Sequence, residues 1–129
     1  MQSLSHYTEQ AARLTLRNRC WINGRFVDAA SGACFDSINP ATAQVLTGVA
    51  RGGAEDIDRA VRAARAAFTD GRWSRLSPTA RKDTLLRLAT LIRENHEEFA
   101  LLDTLDMGKP ITETMTVDVP GSAHFLQWH

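Results

Sequence analysis

The sequence predicts an α/β fold in which two β-hairpins are followed by three to four helices. Three features support this prediction: an Asn-Gly pair between two apolar runs, a Pro-containing turn between two further runs, and helical periodicity after Gly52-Gly53. The 129 residues are 43% apolar and 23% charged, as in an ordinary globular domain. We expect an N-terminal helix in residues 1–19, the hairpins in 20–50 and the helices in 54–129.

The charge balance and the apolar runs exclude several classes of protein. Fifteen basic and fifteen acidic side chains leave no net charge to favour nucleic acid or an anionic membrane. No apolar run approaches the roughly 18 residues that cross a bilayer, and the first twenty residues lack the apolar centre of a secretory signal. We therefore expect a cytoplasmic protein. The alternative is an organellar targeting peptide carrying Arg13, Arg17 and Arg19, although Glu9 interrupts its basic face.

The two predicted hairpins differ in their turns. In Trp21–Val27 the pair Asn23-Gly24 separates two short apolar runs, which is a strong signal for a tight two-residue turn. The second hairpin pairs residues 34–38 with residues 44–50, and Pro40 supplies the turn between them. Two cysteines are too few for a disulfide scaffold, and Cys20 and Cys34 are predicted to be small apolar strand residues.

The helices are predicted from periodicity and from their end signals. Apolar residues repeat at helical spacing in the first of them (Ile57, Val61, Ala64, Phe68), and acidic residues crowd its first turn. Ser77-Pro78 predicts the start of a second, long helix, with a break near Asn95-His96 and an end at Gly108 and Pro110. A last helix is predicted to restart at 118–120. No stop signal precedes His129, so we expect a chain that is incomplete as a domain and truncated at its C-terminus.

The order of these elements and four sequence phrases resemble the N-terminal segment of the aldehyde dehydrogenase superfamily. The phrases are Trp21–Asp28 (WINGRFVD), Ile38–Thr42 (INPAT), Glu55–Val61 (EDIDRAV) with Ala63–Phe68 (AARAAF), and Thr104–Ile111 (TLDMGKPI). Within the superfamily, the last phrase together with Asp118–Gly121 is most similar to bacterial enzymes that act on ω-amino or guanidino aldehydes from polyamine breakdown. Met107 stands where many relatives have asparagine.

The resemblance implies an oxidoreductase of which this chain carries only a part. In the family a cysteine thiolate attacks the aldehyde, hydride passes to NAD or NADP, and a water molecule releases the acid. The nucleophile lies in a Gly-Gln-x-Cys context that neither Cys20 nor Cys34 has. We therefore assign no catalytic and no cofactor-binding residue here, and we expect the isolated chain to be inactive. The full-length enzyme is expected to form a homodimer or homotetramer.

The resemblance also implies a structural monovalent cation, K⁺ or Na⁺. Several family members bind such an ion through main-chain carbonyls before the Asn-Pro turn and through the aspartate of the Thr-Leu-Asp phrase. Those positions are Ser37, Ile38 and Asp106 in this sequence. Oxygen ligands of this kind suit a hard cation. The alternative is that Asp106 caps or pairs near its helix end.

Other motifs favour structural roles. Gly52-Gly53 precedes a helix, as in phosphate sites, but Glu55, Asp56 and Asp58 would repel an anion. Gly108-Lys109-Pro110 lacks both the first glycine and the Ser/Thr of a P-loop, and is predicted to end a helix. The four histidines (His6, His96, His124, His129) have no spacing that indicates a metal site.

Two functions remain open at this point. The first is an N-terminal segment of an NAD(P)-dependent aldehyde dehydrogenase, whose substrate is an aldehyde. The second is a non-catalytic interaction module that associates with intact subunits. The DNA that follows codon 129 separates these hypotheses, because only the first requires the reading frame to continue.

Overall fold

The computed structural model describes residues 2–128 and confirms the two hairpins and the helices that follow them. Its elements are α1 (Leu4–Arg13), β1 (Cys20–Ile22), β2 (Arg25–Val27), β3 (Cys34–Ile38), β4 (Val45–Ala50), α2 (Ala54–Thr69), α3 (Pro78–Glu94), α4 (His96–Met107), α5 (Ile111–Glu113), a π-helical turn (Thr114–Asp118) and α6 (Val119–Trp128). These elements divide between two compact units.

The hairpin unit comprises Leu16–Ile38 and Val45–Ser77 and contains α2 and the strands of both hairpins. In the first hairpin Trp21 lies opposite Phe26, and the turn residues Asn23 and Gly24 have φ angles of 52° and 76°. Positive φ at both positions is what the two-residue turn requires, so the Asn-Gly prediction is confirmed. The Trp21 and Phe26 rings meet edge to face with their centroids 4.6 Å apart.

The second hairpin has an irregular ladder near its turn. Cys34 pairs with Ala50 and Ser37 with Thr47, but Ile38 pairs with Val45, so the register shifts between Ser37 and Ile38. An extra residue on one strand makes a β-bulge, which bends the strand locally.

The helical unit comprises the residues up to Thr15, Asn39–Gln44 and the residues from Pro78 onward. Its α3 begins at Pro78, and α4 follows the predicted break after Asn95. Gly108 ends α4 with a φ of 76°, as predicted from its type. The core residues of this unit come from four helices: Tyr7, Ala89, Ala100, Leu101, Val119 and Ala123.

The last helix, α6, begins at Val119, within the predicted 118–120, but the sequence signal missed that residues 111–118 are already helical. The helical segment begins at Ile111 and continues through the π-helical turn into α6, so that Val119 N–H donates to Thr114 C=O, five residues earlier. A proline ring clashes with the carbonyl four residues before it in a regular α-helix. The wider π-turn immediately before Pro120 accommodates that ring, and the helix continues where the sequence signal indicated a new start.

The N-terminal helix α1 is anchored on α4. Tyr7 is buried, and His6 Nε2 lies 2.6 Å from Glu97 Oε1. The Ser3 side chain accepts a hydrogen bond from His6 N–H and caps the helix. These contacts make α1 part of the packed helical unit.

Candidate functional site

The residues predicted to bind a cation lie in different compact units. Ser37 and Ile38 end β3 in the hairpin unit, beside the bulge, with Ser37 half-buried and Ile38 exposed. Asp106 lies exposed near the end of α4 in the helical unit, just before Gly108. Within residues 2–128 no group of three or more His, Cys, Asp or Glu side chains could hold a metal ion. A site built mainly from carbonyl oxygens would not form such a group, so the cation site stays a prediction.

Both cysteines are free thiols in strands, as predicted from their sequence context. Cys20 is half-buried in β1, where its Sγ lies 3.5 Å from the position that a Cβ on Gly52 would take. Cys34 is exposed at the start of β3, opposite Ala50. The first thiol thus serves packing beneath the start of α2.

The N-terminus of α2 is occupied by a carboxylate of the chain itself. Asp56 is only 2% exposed and accepts hydrogen bonds from the backbone N–H groups of Gly53, at 3.0 Å, and Ala30, at 3.0 and 3.2 Å. Arg59 Nη1 lies 3.6 Å from the same carboxylate. A phosphate at Gly52-Gly53 would have to displace Asp56, which agrees with the structural role predicted for this glycine pair.

Lys109 joins the end of α4 to the π-helical turn. Its Nζ lies 2.6 Å from Asp118 Oδ2 and 3.8 Å from Glu113 Oε2. The hydrogen bond with Asp118 raises the pKa of Lys109 above its usual 10.5, against a smaller opposing effect of burial. The i,i+4 spacing of Lys109 and Glu113 is typical of an ion pair on a helix and can be recognised in the sequence. Asp118 is nine residues away in sequence, and no local pattern indicated that contact.

Each of the described histidines contacts a different group. His6 pairs with Glu97, His96 Nδ1 lies 3.2 Å from the carbonyl oxygen of Arg93, and His124 stacks edge to face on Trp128. His96 and His124 are exposed on helices, as predicted. His129 lies outside the described residues. Across residues 2–128 no helix is both long and apolar enough to cross a membrane.

Comparison with known proteins identifies the family. The model of the aldehyde dehydrogenase family matches residues 26–129. The chain belongs to this family. The resemblance of its four phrases to aldehyde dehydrogenases is thereby confirmed.

Several relatives of this aldehyde dehydrogenase chain are similar over nearly its whole length. Aminoacetaldehyde dehydrogenase of Pseudomonas aeruginosa is 46% identical over 98% of the chain. The crystal structure of gamma-glutamyl-gamma-aminobutyraldehyde dehydrogenase from Burkholderia cenocepacia superposes with a TM-score of 0.97 at 46% identity, covering 98% of the chain. The indole-3-acetaldehyde dehydrogenase AldA of P. syringae, solved in complex with NAD⁺ and IAA, has a TM-score of 0.97 at 45% identity and covers 99%.

The chain spans 26% of the length of each of these relatives. Its fold is therefore the fold that a quarter of an aldehyde dehydrogenase adopts.

Proposed function

We propose that this chain forms the N-terminal part of an NAD- or NADP-dependent aldehyde dehydrogenase that oxidises an aldehyde to its carboxylic acid. The observation that carries the proposal is the TM-score of 0.97 at 46% identity with a solved aldehyde dehydrogenase. In that reaction the aldehyde loses a hydride to the dinucleotide, and water supplies the oxygen of the acid. No residue of this chain is given a catalytic role, because neither Cys20 nor Cys34 stands in the Gly-Gln-x-Cys context of the family's nucleophile.

The described residues do not form a dinucleotide site at the glycine pair Gly52-Gly53. The Gly53 N–H group that could face a phosphate is bonded to Asp56. We therefore assign cofactor binding to the parts of the enzyme outside the quarter that this chain matches, and we assign a scaffolding role to the chain.

The proposed substrate is an ω-amino or guanidino aldehyde, of the kind that polyamine breakdown produces. Two of the similar proteins carry names of enzymes for amino-substituted aldehydes, which supports this class. The relative named for indole-3-acetaldehyde represents the competing class, with an aromatic instead of an amino group.

The proposal is tested first on the DNA that follows codon 129. A frame that continues into a Gly-Gln-x-Cys segment supports the enzyme, and an immediate stop codon contradicts it. The full-length protein that this reading frame encodes is then purified. Its formation of NAD(P)H is measured with aminoaldehydes and with indole-3-acetaldehyde. We expect a higher kcat/KM for the aminoaldehydes. A preference for indole-3-acetaldehyde would contradict the substrate class while leaving the reaction in place.

We also propose that Ser37, Ile38 and Asp106 contribute to a K⁺ or Na⁺ site in the full-length enzyme. A carboxylate together with carbonyl oxygens would supply the negative charge that such an ion needs. An Asp106→Asn variant should lose the rise in Tm that K⁺ or Na⁺ gives, while its active site is retained. Asp103→Asn, on the same helix, is the matched control. An unchanged salt response in Asp106→Asn would remove this residue from the site.

In the cell we expect the full-length enzyme to be a cytoplasmic homo-oligomer, either a dimer or a tetramer. Size-exclusion chromatography with light scattering measures its mass directly. A monomer at micromolar concentration would contradict this part of the proposal.

The second candidate is an interaction module without activity. It is favoured by the number of large apolar side chains that are exposed in the described chain, among them Trp21, Phe68 and Trp128. A stop codon after residue 129, together with binding of the chain to an intact aldehyde dehydrogenase, would favour this candidate.

A further inference from the structure

The side chain of Asn23 is exposed at the tip of the first hairpin, in the turn that the pair Ile22 and Arg25 closes. Within residues 2–128 no hydrogen bond or ion pair holds this side chain. Apart from its chain neighbours, no described heavy atom lies within 4 Å of the position that a Cβ on Gly24 would take. No other part of the described chain therefore packs over Gly24.

An asparagine followed by glycine can lose its amide group without an enzyme. The backbone nitrogen of Gly24 attacks Cγ of Asn23, the amide group leaves as ammonia with the proton of the Gly24 N–H, and a succinimide ring forms. Water then opens the ring at either carbonyl, which gives aspartate or isoaspartate. Glycine is the most favourable following residue, because it has no Cβ to obstruct the approach of its own backbone nitrogen.

The turn conformation slows this attack without preventing it. Asn23 has a φ of 52°, the left-handed conformation of a tight hairpin turn, and the main chain must leave this conformation before the Gly24 nitrogen can reach Cγ. The flanking strands β1 and β2 have only three residues each. An isolated two-stranded hairpin is marginally stable, so the free energy that opens this turn is small.

The other three asparagines are held or blocked. Asn18 Nδ2 is part-buried and donates two hydrogen bonds to β4, at 2.9 and 3.0 Å. Asn39 precedes Pro40, whose nitrogen has no proton to release. Asn95 Nδ2 donates to a carbonyl of α3 at 2.8 Å, and the nitrogen that follows it belongs to His96, the first residue of α4. Only Asn23 combines an unheld amide with a following glycine.

We propose that Asn23 is the site of spontaneous deamidation in this chain, through a succinimide formed with Gly24. The reaction replaces a neutral amide by a carboxylate. Fifteen acidic side chains balance fifteen basic ones before it, so one added carboxylate lowers the net charge from zero to minus one. The isoaspartate form also adds a methylene group to the main chain within the turn. The modification requires water alone and no activity of the chain.

The test ages the purified 129-residue chain with a reducing agent in mildly alkaline buffer at physiological temperature. Isoelectric focusing follows its charge, and mass spectrometry follows its tryptic peptides, with an unaged sample digested in parallel. Cleavage after Arg19 and Arg25 releases residues 20–25, in which Asn23 is the only side-chain amide. We expect this peptide to convert to the acid and to separate into two forms on chromatography. Its conversion should be about tenfold or more faster than that of the other three asparagines, because none of them precedes glycine.

Asn23→Gln is the matched control. It keeps a primary amide in the turn, but its longer side chain would have to close a larger, six-membered ring, which forms much more slowly. The more acidic species should therefore be lost from this variant. The inference is overturned if residues 20–25 stay unconverted in the chain while a synthetic peptide of the same sequence converts. Faster conversion at another asparagine, or an acidic species that forms equally fast in Asn23→Gln, would also overturn it.

Discussion

Asp56 shows how one side chain connects two parts of the hairpin unit. Its carboxylate is buried and satisfied by two backbone donors, one from the loop after β2 and one from the N-cap of α2. A buried carboxylate is tolerated only when it has such partners. The residue therefore caps the helix and positions the loop at the same time.

We expect Asp56→Ala to lower the free energy of unfolding by about 1–3 kcal/mol, because α2 loses its N-terminal cap and the part-buried hydrogen bonds from Ala30 and Gly53 lose their acceptor. The measurement is urea unfolding of a chimera in which this chain replaces the matching quarter of the P. aeruginosa aminoacetaldehyde dehydrogenase. Asp58→Ala is the control: that carboxylate is exposed and pairs with Arg62 on the surface, so its loss should stay within about 0.5 kcal/mol. Equal effects of the two substitutions would contradict the role assigned to Asp56.

Gly108 is a second residue whose type is required by its conformation. It has a φ of 76°, and a Cβ added to it would lie 2.7 Å from Cγ of Pro40. We expect Gly108→Ala to lower the free energy of unfolding by more than about 1 kcal/mol.

Gly121→Ala is the control for that substitution, and it should change stability in the opposite direction. Gly121 lies inside α6, and apart from its chain neighbours and its own helix backbone no described heavy atom lies within 4 Å of its added Cβ. Alanine favours the helix, so stability should rise by up to about 1 kcal/mol. If both alanine variants shift the chimera's unfolding midpoint in the same direction, the strain assigned to Gly108 is wrong.

At the scale of elements, the π-helical turn is held between α4 and α6 by polar contacts. The Thr104 and Thr114 hydroxyls lie 3.1 Å apart, and Thr114 is fully buried and donates to the carbonyl of Ile111. Lys109 closes the same region through Asp118. The threonine hydrogen bonds satisfy polar groups where a π-turn and Pro120 interrupt the regular helix pattern.

The raised pKa of Lys109 predicts a pH dependence of stability. Because the folded-state pKa is above 10.5, the ion pair stabilises the fold fully below pH 10.5, and this contribution is lost as pH rises through the folded-state value. The unfolding midpoints of the unchanged protein and Lys109→Met should therefore differ at neutral pH and converge at strongly alkaline pH. Lys82→Met, at an exposed position on α3, is the control. A Lys109→Met difference that persists unchanged at strongly alkaline pH, above the folded-state pKa of Lys109, would argue against the ion pair.

At the scale of the whole molecule, the exposed apolar side chains govern the behaviour of the chain alone. They occur in both units and include Trp21, Phe35, Val61, Phe99 and Phe125. Isolated two-stranded hairpins are marginally stable, and apolar surface of several hundred Å² leads to association. The chain thus presents surfaces suited to partners.

We expect the purified 129-residue chain to be aggregated or loosely packed, with a helical far-UV signal, a weak near-UV signal and strong binding of an apolar dye. We expect these surfaces to be covered in the chimera, which should then bind much less dye. A monodisperse monomer with a sharp, cooperative thermal transition would contradict this expectation. It would also favour the interaction module over the enzyme segment.

The sequence by itself determined the features that depend on neighbouring residues. Asn23-Gly24 predicted the first hairpin, and Pro78 and Gly108 predicted helix ends, because turn geometry and capping are local properties. The family could likewise be recognised from short phrases in the right order.

Tertiary structure decided what depends on residues distant in sequence. In α2 the buried side chain is Asp56, held by its hydrogen bond from Ala30 N–H, whereas the apolar Ile57, Val61 and Phe68 are exposed. The continuation through Pro120 depends on the π-turn, which Lys109 and Thr104 hold from α4 and its end. The periodicity of a helix identifies its apolar face, but the partners available in space decide which face is buried.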